Sequence, residues 1–165
     1  MIEQQLEILG AFIVDKLRKE LTDQGHRNTG KLIDTLRYEV KKKGSIYDII
    51  IYGQGYAKTV DQGLPPGVKV NVYALAEWVE QKGIASGEKE IKSAAFAIRE
   101  KIFQEGSPTK NAANFSSNGR RTDFIGAVID ANQKVIVAEL FKVFSKSAIF
   151  TLSNVIKKNK NIYLG

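Results

Sequence analysis

Between residues 2 and 24, Ile2, Leu6, Leu9, Ile13, Leu17 and Leu21 recur at spacings of three and four. Apolar groups at those intervals line one side of a 3.6-residue helix, so the stretch predicts a long amphipathic helix with one face to bury. Gly25 ends it. Thr29 is placed to cap a short second helical turn through Asp34.

The period then changes to two. In "TLRYEVK", Leu36, Tyr38 and Val40 alternate with Arg37, Glu39 and Lys41, the pattern of a half-buried strand. "IYDIIIYG" is β-branched and aromatic and reads as the return strand, with Lys42-Lys43-Gly44-Ser45 as the exposed turn. A hairpin over about 35–53 follows. Next comes "YGQGYAKTVDQGLPPG" at 52–67, one helical turn framed by glycine and proline. Gly53 and Gly55 let the hairpin end abruptly. Tyr56, Ala57 and Val60 are expected to pack the turn on the sheet, and Gly63, Pro65, Pro66 and Gly67 to stiffen its exit.

Val72, Leu75 and Val79 mark a helix over 71–82. Ile91, Ala95, Ile98 and Ile102 mark another over 87–105, stopped by Gly106. With the hairpin, these two are expected to form the compact body. The stretch 106–121, "GSPTKNAANFSSNGRR", has three cations and no acid and reads as a long exposed loop. Thr122 or Asp123 then caps a last helical region over 123–158, with Val128, Ile136, Leu140, Val143, Ile149, Leu152 and Val155 as apolar positions and Ser145-Lys146-Ser147 as a place to kink or divide. The fold class is therefore α+β: a long N-terminal helix, a small antiparallel sheet, several packing helices and a long C-terminal helix. Residues 1–145 form one domain; 146–165 form a helical extension with a basic tail.

Chemistry is excluded more readily than assigned. The chain has no cysteine and one histidine, which removes thiol nucleophiles and Cys/His zinc sites. His26 is expected at the surface. The opening "MIEQQLEILG" has no basic start, so no secretory signal is expected. No apolar run nears the roughly 20 residues of a membrane span, so no membrane partner is expected. "GHRNTGKL" at 25–32 breaks the phosphate-loop pattern at Leu32 and follows a helix rather than a strand. "GQGYAK" at 53–58 breaks the dinucleotide pattern at Lys58. Asp61, Glu77, Glu80 and Asp130 have no paired spacing for acid–base work, and Trp78 belongs with core or interface packing. No catalytic, metal or cofactor-binding residue is expected, and no enzymatic activity.

The net charge of +7 favours acidic partners and also keeps a protein soluble. The cations cluster at 41–43, at Arg120 and Arg121, and at Lys157, Lys158 and Lys160. Only Phe115 lies near such a cluster, whereas a nucleic-acid site interleaves aromatics with charge.

One ordered set of features resembles a family. Thr29-Gly30-Lys31-Leu32 is followed by the hairpin, then by Tyr56, Ala57, Val60, Asp61 and Gly63 with prolines after them. This resembles the head–tail connector, tail-completion or neck proteins of tailed bacteriophages, although Asp61 stands where glutamate is commoner. The resemblance covers about 5–145. It implies a structural virion subunit in the neck, assembled in the host cytoplasm as a homo-oligomeric ring of six or twelve copies. It also implies portal or adaptor-ring and tail partners. Thr29, Gly30, Leu32 and the 56–63 motif would lie at subunit interfaces. Lys110, Phe115, Arg120 and Arg121 would dock the next layer or face packaged DNA without reading its sequence. The alternative is a free, basic nucleic-acid-binding accessory protein.

Overall fold

The structure is a computed structural model. It describes the backbone of residues 2–160 and the side chains through 149, with those of 151, 153 and 154. The fold is α+β. Helix α1 (Ile2–Asp23) leads through the short α2 (Lys31–Thr35) into strands β1 (Arg37–Lys43) and β2 (Ile46–Tyr52). Then follow α3 (Ala57–Gln62), α4 (Val72–Gln81), α5 (Glu88–Glu105), a 3-10 turn at Ala112–Phe115, and α6 (Phe124–Lys160).

α1 buries the stripe its sequence announces: Leu6, Leu9, Ile13, Val14, Leu17 and Leu21. α6 packs along it, and the hairpin covers its first half. Gly10 makes the hairpin's approach possible, because a Cβ there would sit 2.8 Å from Tyr38 Cε2, inside the ring's contact distance. Tyr38, Val40 and Ile49 alternate as expected. The strands pair from Arg37↔Tyr52 to Lys43↔Ile46, so the turn is only Gly44-Ser45, two residues shorter than the sequence pattern predicts. A two-residue turn needs positive φ, and Gly44 supplies it at 63°.

Two further expectations are corrected. Gly30, not Thr29, holds the position before α2, with φ 78°. Thr29 Oγ1 accepts only a long 3.4 Å bond from the Lys31 N–H, since a left-handed entry turns the chain away from the usual cap geometry. The compact body is also elsewhere. Its core joins α1, α2, Leu36 and the start of α6 through Leu9, Ile13, Leu17, Leu21, Leu32, Ile33, Phe124 and Val128. α4 and α5 instead pack on each other, burying Val79, Ala95 and Ile102. Arg18 ties the two helical segments of the core together, donating from Nε to the Ile33 carbonyl at 3.2 Å and from Nη2 to the Leu36 carbonyl at 2.6 Å.

α6 runs through Ser145-Lys146-Ser147 without interruption. The hydroxyls of Ser145 and Thr151 donate to carbonyls three and four residues back, a local satisfaction that leaves the helix continuous. The side chains of Leu152, Val155, Lys157, Lys158 and Lys160, and the tail after 160, lie outside the described residues.

Candidate functional site

The C-terminal end of α1 is the centre of the most heavily tied region of the molecule. The His26 N–H donates to the Leu21 carbonyl and the Gly25 N–H to the Thr22 carbonyl, both at 2.9 Å, the paired bonds that close a helix on a left-handed glycine. Gly25 has φ 72°, and a Cβ there would overlap the Phe115 carbonyl group. The 106–121 segment therefore crosses directly over the helix end.

That crossing changes the expected loop. Its surface is largely exposed, but its second half is stitched down. The Ser117 N–H donates to the Asp23 carbonyl at 2.8 Å, and the hydroxyls of Ser116 and Ser117 donate to the same oxygen. Asn118 Nδ2 donates to Glu20 Oε1 at 2.9 Å. Gln24, fully buried, donates from Nε2 to Glu20 Oε1 and to the Thr122 carbonyl. The first half pairs with the motif segment: Leu64 and Ser107 exchange backbone bonds of 2.7 and 2.8 Å. The bonds from Ser116 and Ser117 satisfy the Asp23 carbonyl at the helix end, which otherwise needs water or a cap.

Arg121 belongs to this lock. Its Nη1 donates to the Gln24 carbonyl at 2.5 Å, and its own carbonyl lies 3.0 Å from His26 Nε2. It is half-buried, with part of its guanidinium engaged inside the chain. Burial lowers its pKa from the ordinary value, without removing its charge. His26 is likewise half-buried rather than on the surface. Burial, and then the neighbouring charges of Arg121 and Lys82, push its pKa down to about 4. Its neutral ring therefore donates Nε2–H to the Arg121 carbonyl.

The motif residues meet this region from the other side. Ala57 and Val60 pack against the cluster that contains Leu32, so both halves of the family-like pattern share one core. Tyr56 departs from expectation, being 45% exposed. Gly63 stands against Ser107: a Cβ there would come within 3.3 Å of the Ser107 carbonyl carbon. Asp61 is spent within the chain. Its backbone carbonyl accepts from the Asp123 N–H at 2.6 Å, and its Oδ1 accepts from the Ile125 N–H at 3.0 Å. It thus caps α6 from another element, placing a carboxylate at the positive end of a long helix dipole. Asp123 itself sits at φ 58°. Sequence reasoning placed the cap at Thr122 or Asp123 because caps are usually adjacent in sequence.

The remaining predicted residues divide. Lys110 and Arg120 are exposed, and with Arg121 they line one hollow of about 330 Å³ that also holds Thr109, Thr122 and Asp123. Phe115 is not part of that hollow; it meets Trp78 edge-on with ring centroids 5.7 Å apart, in a neighbouring cleft that Arg121 also lines. Thr29 stays at the surface and Gly30 is buried. Among the described residues, no cluster of His, Asp and Glu has the makings of a metal site, and no helix is long and apolar enough to cross a membrane. The ties of Gln24 to Thr122 and of His26 to Arg121 had no sequence signal, since the partners lie far apart along the chain. Comparison of the chain with protein-family models, with curated proteins and with solved structures returned no match.

Proposed function

We propose that the protein is a structural subunit of the neck of a tailed bacteriophage, one copy of a homo-oligomeric ring that joins the portal or an adaptor ring to the tail. In this reading it has no catalytic role and surrounds passing or retained DNA. The resemblance at Thr29-Gly30-Lys31-Leu32 and Tyr56–Gly63 supports it. The observation that carries the self-assembly part is on α6. Val137, Phe141 and Phe144 are 56%, 71% and 67% exposed and, with exposed Ala148, fall at spacings of four, three and four. Such a continuous apolar stripe on a folded chain is the usual mark of an interaction surface. A ring subunit must offer it to a different face of its neighbour.

The test is light scattering after size exclusion, with negative-stain images, on the purified protein over rising concentration. A closed ring of six or twelve is the expected product. A monomer at every concentration, alone and with the portal, refutes the reading. The second reading, a free nucleic-acid-binding protein, is favoured by the shared hollow of Lys110, Arg120 and Arg121. It predicts monomeric DNA binding that weakens steeply with salt.

A further inference from the structure

We propose that the cleft between the α4–α5 pair and residues 107–115, with the cationic hollow beside it, docks an extended acidic peptide of a partner protein through one bulky apolar side chain. The cleft has a volume of about 380 Å³ and is walled by Leu75, Trp78, Ile84, Ile98, Ile102 and Phe115. That is the small end of the range for ligand pockets, enough for a large side chain rather than a whole cofactor. Thr109 and Arg121 line both this cleft and the hollow of Lys110 and Arg120, so an apolar socket and a cationic one are contiguous.

Charge decides the occupant. Among the described residues, Lys110, Arg120 and Arg121 form no ion pair with any carboxylate. Asp123 is the single acid on the hollow's wall, against three cations. The hollow keeps a net positive charge that an incoming carboxylate complements, at the exposed Lys110 and Arg120 and beside the half-buried Arg121. A nucleic acid would use the cations and leave the apolar socket empty, whereas a peptide with acids flanking a Leu or Phe fills both. The site is complete in one copy of the chain and does not depend on ring formation.

Trp78 is the chain's only tryptophan and lines the socket, so its emission reports occupancy. The probe is the synthetic peptide Glu-Glu-Leu-Phe-Glu-Glu, titrated into the full chain, with a Glu-Glu-Ser-Ser-Glu-Glu control. A saturable change in Trp78 emission is expected with the first peptide only. Replacing both exposed cations, Lys110→Ala with Arg120→Ala, should weaken binding about tenfold or more. Ile84→Asp, at the exposed rim, should abolish it by placing a like charge at the entrance. Circular dichroism checks that both variants fold. The proposal is overturned by an unchanged emission at millimolar peptide, or by binding that ignores either substitution. It is also overturned if oligothymidine occupies Lys110 and Arg120 and the peptide does not.

Discussion

α1 and α6 are the two long helices of the molecule, they pack on each other, and they end their contacts differently. α1 is one-sided: its apolar stripe is buried, and its last carbonyls are taken by the Gln24–His26 turn and, at Asp23, by the 116–121 segment. α6 buries Phe124, Val128 and Val143 against the body while Val137, Phe141, Phe144 and Ile149 stay in water. A helix whose polar groups and apolar face are both satisfied within its own chain is doing a structural job. A helix with apolar residues left over has a surface for something else.

The largest effect should come from the satisfied side. Leu21 is fully buried where α1 meets the core, so Leu21→Ala should lower unfolding free energy by about 2–5 kcal/mol, through lost transfer energy and a cavity. A urea melt measures it. A loss below about 1 kcal/mol would mean that the core collapses around the gap and that the contrast with α6 is weaker than burial indicates.

Next in size is the joint between the two helices' neighbourhoods. Asp61→Ala removes the carboxylate that caps α6 from α3, and should cost about 1 kcal/mol, within the range of helix N-caps. Asp61→Asn keeps an acceptor and should recover most of that loss. Equal losses for the two would show that charge at the helix dipole, rather than the hydrogen bond to Ile125, carries the effect.

This joint also marks the limit of what the sequence discloses. The hairpin is legible because alternation and a glycine turn act over neighbouring residues, and α1 because its stripe is one-sided. The facing of α6 is legible in part. Val128, Ile136, Leu140 and Val143, read from the sequence as its apolar positions, are the ones buried or packed on the body, whereas Ile149 stays exposed. The second stripe at 137, 141 and 144 carries no sign of what it faces. The lock at Gly25 is invisible for a different reason. Gln24 and Thr122, or His26 and Arg121, are held by hydrogen bonds across more than ninety residues, and such bonds leave no periodicity. Of the candidate site, the reading of 106–121 as an exposed loop agrees with the exposure of Lys110 and Arg120. It says nothing of Arg121 turning inward.

pH should separate the satisfied region from the rest by another route. His26 has a folded pKa of about 4 against an ordinary 6.5. Between those values the unfolded chain binds a proton that the fold refuses, so stability falls as pH drops from 6.5 toward 4 and the loss levels off below. His26→Gln, which retains a donor for the Arg121 carbonyl, should flatten that part of the curve. Thermal melts from pH 7 to 4 compare the two slopes. Parallel slopes would show that His26 is more solvated than its packing indicates.

The smallest effect on the monomer should come from α6. Phe141 and Phe144 have little packing to lose, at 71% and 67% exposed. Phe141→Ser with Phe144→Ser should therefore change monomer stability by no more than about 0.5 kcal/mol per site, the usual range at surfaces. If the stripe is a subunit contact, the same pair of changes should shift the assembly toward monomer. A double variant with an intact melt and lost assembly is the result that sets α6 apart from α1. A double variant that melts much earlier would instead mean that the two rings pack within the chain in solution, and the leftover apolar surface would no longer mark an interface.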